Sequence, residues 1–463
     1  MSLEPTEDLP PGRALHDHDV RILSFDGGPG TLIDMAVLAR LEEWCVEEHG
    51  ASFVEQVDLF SGTSTGALAA LYLATKLGDE VPGGEALRGC IQFTRDCADT
   101  ARTGAPGLLG WLRTATRPAY DCDELRAVIE DHLGDRTLGE VKKNVAILGF
   151  DVARWAPVSF RNFEPASNEE CSLLHVAVAV ASLPLLLPTQ VIRVGATWQE
   201  NLGSTAPEDG WVNHPIIDGL AANNNPTWSA INQALIYRAG LGVKAGKKRG
   251  YFFGNYDDLK HFRLLSIGVR AAEREDPWAD VDRSWLFTHY PRLARLFPFP
   301  LPEIIRSSIG IDRPGPRPMG MLQWTLQTMG FGFANLFIQG SSALEHESAK
   351  TLLGVEQYHR FHPEVPIWEV MAATARGTRE DFEALLDERG EEIWEHEVAK
   401  LEALRSYEHS PEAQREMIER FELPVYGCRP EPYSSLLHWV PRYWLEARPC
   451  GGSGAGESGE VPV

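Results

Sequence analysis

Val57-Asp58-Leu59-Phe60-Ser61-Gly62-Thr63-Ser64-Thr65-Gly66-Ala67-Leu68-Ala69-Ala70-Leu71-Tyr72-Leu73-Ala74 passes from an apolar, strand-like run into a strong helix former through Gly-x-Ser-x-Gly. A serine flanked by glycines at a strand-to-helix turn is held in a tight backbone conformation. Its hydroxyl then projects above the sheet, with the new helix N-terminus beneath it. The positive end of that helix favours a developing negative charge. The pentapeptide recurs by chance, and an isolated match is more often an ordinary loop serine. Here the strand and helix context that the motif requires is present, so Ser64 is the candidate nucleophile.

Upstream, Val20-Arg21-Ile22-Leu23-Ser24-Phe25 reads as a buried strand running into Asp26-Gly27-Gly28-Pro29-Gly30-Thr31, and residues 32–43 have helical periodicity. A glycine-rich turn between strand and helix gathers backbone N–H groups into an anion site. Two occupants compete for it. A bound phosphate would call for a Gly-Lys-Ser/Thr ending or a well-formed GxGxxG, and the chain has neither. The charge of a tetrahedral intermediate would need only the amides. A plain glycine turn without a ligand is the third reading.

A serine nucleophile needs a base. In Val212-Asn213-His214-Pro215-Ile216-Ile217-Asp218-Gly219-Leu220 an aspartate follows two isoleucines and precedes a glycine, with Asn223-Asn224-Asn225-Pro226 next. Asp-Gly is usually a simple turn. At its reference pKa of about 3.9 an aspartate is a poor base for a hydroxyl, so the site would have to desolvate it.

Taken together, these three segments resemble the patatin-like phospholipases, whose pattern is a glycine-rich Asp-Gly-Gly-Gly turn, then Gly-x-Ser-x-Gly, then Asp-Gly-Gly or Asp-Gly-Ala. Residues 148–154 and 158–162 look like the family's central strands. Residues 181–188 resemble its Ser-Ala-Ala-Pro segment, and residues 264–268 a later core strand. The likeness covers roughly residues 20–270 and is fainter to about 395. It implies a three-layer α/β/α patatin-like fold with a mainly parallel central sheet and a helical C-terminal extension. It also implies a Ser64/Asp218 dyad without histidine, with an oxyanion hole from the amides of Gly27, Gly28, Gly30 and Thr65. The implied activity is a lipid acyl hydrolase of phospholipase A or lysophospholipase type. Its partner would be a phospholipid or other lipid ester at a membrane surface, with no metal or organic cofactor. The pattern is departed from at Pro29, which has no N–H to donate and replaces a glycine. Thr31 stands where a basic residue is expected, Leu32 replaces a glycine, and Leu220 replaces the small residue after Asp-Gly. Those departures keep open a pseudoenzyme that binds lipid without cleaving it.

The main enzymatic rival is a Ser/His/Asp esterase of α/β-hydrolase type, in which a histidine comes last in the chain. His346, His359, His362 and His438 are late enough, and none lies in a distinctive motif. His175 and His214 read as packing or loop residues.

With 463 residues and 43% hydrophobic content the chain can bury a sizeable core. Its net charge of −23, from 66 acidic and 43 basic residues, argues against nucleic acid as a partner. Seven cysteines without a Cys-x-x-Cys pair suggest reduced thiols and a cytoplasmic setting. Residues 1–19 lack the basic start and apolar stretch of a signal peptide, and the longest apolar run, 176–188, is too short to cross a bilayer. Membrane contact would therefore be peripheral. Residues 107–113 with Arg117, and 285–306 with interleaved arginines, have a lid-like composition, which packing of a cap explains equally well. Residues 319–337 read as a packed helix, and 381–404 as an exposed amphipathic one. The expected organisation is a polar arm at 1–19, a catalytic domain at 20–310, a mainly helical region packing on the core at 311–448, and a disordered tail at 449–463.

Overall fold

The computed structural model describes residues 19–103, 118, 120–163, 168–184, 186–195, 211–244, 256–271, 331–354, 356–365, 379–405, 425–426, 429–430 and 435–445. The lid-like segments at 107–113 and 285–306, the arm up to residue 18, the tail at 449–463 and most of 319–337 lie outside them.

The run 20–25 forms β1 (Val20–Phe25), whose residues are almost wholly buried because both faces of the strand are covered. It feeds α1 (Thr31–His49), which ends at Gly50 in a left-handed conformation with φ 66°. The elbow stretch then supplies β2 (Leu59–Thr63) and α2 (Thr65–Gly78). Next come α3 (Gly83–Thr103), α4 (Asp123–Leu133), β3 (Asn144–Asp151), β4 (Ala156–Arg161), α5 (Leu173–Val180), β5 (Gln190–Gly195) and β6 (Trp211–Asp218). The chain continues through α6 (Thr227–Lys244), β7 (Phe262–Ile267), β8 (Arg270–Ala271), α7 (Phe331–Leu353), β9 (Tyr358–Phe361), β10 (Glu364–Val365), α8 (Arg379–Arg405) and α9 (Leu436–Trp439).

The main sheet has the order β5-β6-β3-β2-β1-β7-β9, with β4 also paired to β3. Five neighbours, β3-β2-β1-β7-β9, run parallel. Beyond β3 the sheet turns antiparallel, through β4, β6 and β5. β1 is followed in sequence by β2 on one side and flanked by β7 on the other, so the strand order reverses at its C-terminal end. Such a switch point opens a crevice above the strand ends, where α/β sheets place their ligands.

Strand alternation builds the layers. Leu23, Phe25, Phe60, Leu265 and Ile267 face α1, α2, α3 and α5 in one core, and Val20, Ile22, Leu59 and Leu264 face α6 and α7 in the other. Burying each such side chain stabilises the fold by about 1.5–3 kcal/mol. The fold is the three-layer α/β/α arrangement.

The expected boundary at residue 310 does not coincide with a break in the sheet, because β9 pairs with β7. Four residues of mixed polarity, Tyr358-His359-Arg360-Phe361, carry too little alternation to be read as a strand. Late segments also close onto the body. Trp439 and Trp444 are fully buried, Trp444 Nε1 donates to the Phe53 carbonyl at 3.0 Å, and Arg21 Nε donates to the Trp444 carbonyl at 2.8 Å. Helix α8 lies along α1, where Gly390 comes close to Ala36 and Arg40 pairs with Glu391.

Candidate active site

Ser64 sits between β2 and α2 with φ 54° and ψ −124°, a conformation that a non-glycine residue rarely adopts. The flanking glycines make it possible. A Cβ on Gly62 would lie 2.3 Å from the Gly66 carbonyl oxygen, and a Cβ on Gly66 would lie 2.3 Å from the Asp26 carbonyl oxygen. The pentapeptide is thus a packing requirement: backbone rests on backbone, and the strained serine is held over the sheet edge. Ser64 is also the N-cap of α2 but makes no side-chain cap bond. Its hydroxyl is used elsewhere, so the first-turn amides of α2 are left without that acceptor.

Ser64 Oγ donates to Asp218 Oδ2 at 2.6 Å, across a sequence separation of 154 residues. The sheet register makes the contact. Thr63 is level with Leu148 on β3, and the next β3 residue, Gly149, is level with Asp218 on β6. The two side chains bridge the intervening strand. Asp218 is held from three directions: its N–H donates to the Ser182 carbonyl at 3.0 Å, its Oδ1 accepts from Leu220 N–H at 2.8 Å, and Gly219 lies against the Leu148 carbonyl. Ser182 belongs to the 181–188 segment, which thereby braces this carboxylate.

Asp218 is fully buried. Burial pushes its pKa up to about 7, against the smaller opposing pull of the hydrogen bonds from Leu220 and Ser64. A carboxylate in that range can take a proton from a hydroxyl near neutral pH.

The glycine turn after β1 faces the same point. A Cβ on Gly27 would lie 2.9 Å from the Ser64 Cβ. Its amide groups are not equivalent. Gly27 N–H donates to the Asn224 carbonyl at 3.2 Å and is committed inside the protein, which removes it from the expected set of four donors. Gly28 N–H donates to Thr65 Oγ1 at 2.9 Å. The N–H groups of Gly30 and Thr65 meet no acceptor among the described residues. The Thr65 hydroxyl, at 2.7 Å from the Gly28 carbonyl, and the Thr31 hydroxyl, at 2.9 Å from both that carbonyl and Thr65 Oγ1, lock the turn to the elbow. Thr31 is buried inside the turn, so the position where a cation was expected carries a neutral structural hydroxyl.

Among the described residues no histidine hydrogen-bonds to Ser64 or Asp218. His346 Nδ1 is 3.1 Å from the Tyr358 hydroxyl, and burial lowers its pKa to about 4. His359 stacks on Trp439 and His362 Nδ1 is 3.3 Å from the Arg360 carbonyl. His214 is buried, as a packing residue should be, with Nδ1 2.6 Å from Asp151 Oδ2.

Two contributors were not read from the sequence. The asparagine run supplies carbonyls, Asn223 accepting from the Thr63 hydroxyl at 3.2 Å and Asn224 from Gly27. Three consecutive asparagines after Asp-Gly were the available signal. Arg360 Nη1 and Nη2 donate to Asp26 Oδ1 and Oδ2 at 2.9 and 2.6 Å, and nothing in the sequence ties the two together.

A doubly wound sheet with a serine elbow at its edge and a buried carboxylate on that serine defines a class of α/β protein. Residues 23–231 match the model of the Patatin family, described as patatin-like phospholipase. Patatin-like protein 2 of Oryza sativa subsp. indica is 26% identical over 259 residues, covering 54% of this chain and 60% of the relative. Patatin-like protein 3 of Arabidopsis thaliana is 26% identical over 287 residues, covering 56% and 60%. Patatin-B1 of Solanum tuberosum is 24% identical over 254 residues, covering 50% and 63%. The match to the first of these relatives spans 60% of its length. Among solved structures, the crystal structure of VipD from Legionella pneumophila covers 88% of this chain and 80% of its own, at 9% identity and a TM-score of 0.25, a likeness too slight to carry an argument. Among the described residues no helix is long and apolar enough to cross a membrane.

Proposed function

We propose that the protein is a lipid acyl hydrolase that cleaves carboxylic esters through a Ser64/Asp218 dyad and a seryl ester intermediate. The observation that carries this reading is the 2.6 Å contact from Ser64 Oγ to a carboxylate whose burial brings it into the working range of a base.

Asp218 Oδ2 takes the Ser64 proton as Oγ bonds to the ester carbonyl carbon, and the carbonyl oxygen becomes an oxyanion. Thr65 N–H at the start of α2 and Gly30 N–H are the open donors for that charge. Gly28 N–H joins them when the oxyanion replaces the Thr65 hydroxyl as its acceptor. Collapse breaks the bond to the alcohol, which leaves with the proton from Asp218. Water then gives a proton to Asp218 and attacks the acyl carbon, and Ser64 recovers its proton as the fatty acid departs. The family match supports a lipid ester as substrate.

The test is mass spectrometry of lipid extracts incubated with the wild type and with Ser64→Ala. Fatty acid and lysolipid should accumulate with the wild type alone, and an acyl-phosphonate should label Ser64 covalently. A wild type that releases no product and takes no label overturns the hydrolase reading and leaves a lipid-binding role as the alternative.

A further inference from the structure

The expected cation of the glycine turn is missing from the turn itself, yet a cation does hold that turn from elsewhere. Arg360, on β9 and outside the 23–231 family match, presents its guanidinium edge-on to both oxygens of Asp26. Their side chains are each only 4% exposed, so Arg360 is screened from any ligand in the crevice. A fork-to-carboxylate contact fixes orientation as well as distance, which an ammonium cannot do. Asp34, also near the pair, is pushed well above its ordinary range by burial and then by Asp26, with Arg360 opposing the rise, and the bidentate contact of Arg360 goes to Asp26.

Two routes lead from Arg360 to Ser64. The first is direct packing: the Asp26 N–H donates to the Ile267 carbonyl at 2.9 Å, and the Asp26 carbonyl is the surface on which elbow residue Gly66 rests. The second runs through hydroxyls. Arg360 Nη1 donates to Ser266 Oγ at 2.6 Å, Ser266 Oγ lies 2.9 Å from Thr227 Oγ1, and Thr227 Oγ1 lies 2.5 Å from Asn225 Oδ1. Asn225 continues directly from Asn223 and Asn224, whose carbonyls hold Thr63 and Gly27. One buried charge therefore anchors both the turn that faces Ser64 and the loop that follows Asp218.

We propose that Arg360 is a positioning residue of the Ser64 site, fixing the Asp26 turn and the 223–225 loop so that the amides around Ser64 are preorganised for an oxyanion. The inference rests on the acyl-hydrolase reading. Misplacing such donors by about an ångström lowers turnover on the order of a hundredfold, while binding of the acyl chain elsewhere is untouched.

The experiment compares Arg360→Met and Arg360→Lys with the wild type, as full chains, on p-nitrophenyl butyrate. Hydrogen exchange is followed at the amides of residues 26–30 and 223–227. Arg360→Met should lower kcat about a hundredfold with KM within threefold, and Arg360→Lys, which keeps the charge without the fork, about tenfold. Both should exchange faster at the two segments and not in α3. Wild-type kcat in folded Arg360→Met overturns the proposal, as does a loss confined to KM. If Arg360→Met does not fold, Arg360→Lys decides alone: wild-type kcat and unchanged exchange overturn the claim. The exchange readout needs no turnover, so a wild type inert toward every ester would sink the hydrolase reading and leave the positioning claim to stand or fall on exchange.

Discussion

Asp26 and Asp218 differ in chemistry although the sequence presents them alike, each an aspartate at a strand end followed by glycine. Both are buried and both lie at the edge of the sheet where Ser64 projects. Desolvation raises both carboxyls, but only Asp26 faces a cation that opposes it, whereas Asp218 faces a hydroxyl and an amide. The Arg360 guanidinium, charged at all accessible pH, opposes that rise at Asp26 and gives its carboxyl a fixed partner. Without such a partner, Asp218 exchanges its proton near neutrality. What faces a buried carboxylate, rather than its motif, separates a structural anion from a base.

The sharpest way to break this contrast is to neutralise each aspartate in turn. Asp218→Asn keeps the shape and removes the base, so ester turnover should fall by about a thousandfold or more while the circular dichroism spectrum is unchanged. Residual activity above a tenth of wild type would remove Asp218 from the mechanism. Asp26→Asn has the opposite profile. It leaves Arg360 buried without its anion, which should destabilise the fold by about 3–5 kcal/mol in urea titration. A variant as stable as wild type would mean that the pair is not the anchor its geometry describes.

The same contrast explains what could be read from the chain. The elbow was legible because half of its constraint is local: Gly62 lies against the Gly66 backbone within one turn, and the strand and helix on either side are strongly patterned. The close approach of Gly66 to Asp26 comes instead from the sheet. Asp218 was legible as a motif, while its pairing required the register of β2, β3 and β6. The amides of the glycine turn were nominated by motif alone. Motif position nominated Gly27, but the carbonyl of Asn224, a long-range neighbour, takes up its N–H. Arg360 was not legible at all. It lies 334 residues from Asp26 on a four-residue strand, and only the sheet order, with β9 beside β7, brings it to the turn.

A smaller effect sharpens the assignment of the base. If the ionised form of Asp218 is the active one, kcat/KM on a soluble ester should rise about tenfold per pH unit below pH 7 and level off above it. A rate that peaks and falls between pH 6 and 9 would point to a second titrating group, as a histidine-based triad requires.

The smallest effect follows from the same proton and reverses the usual expectation that an ionised aspartate supports its fold. Asp218 has a folded pKa of about 7, against about 3.9 in the unfolded chain. The folded state therefore holds the proton more tightly, and the associated stability is complete below pH 4 and is lost as pH rises through 7. Asn at this position does not titrate. Relative to wild type, Asp218→Asn should gain stability between pH 5 and pH 8, by about 3 kcal/mol and a few degrees in Tm. Scanning calorimetry of both proteins across that range checks the sign. A gain that grows toward low pH would mean that the fold stabilises Asp218 as an anion, and its assignment as a base with a raised pKa would fail.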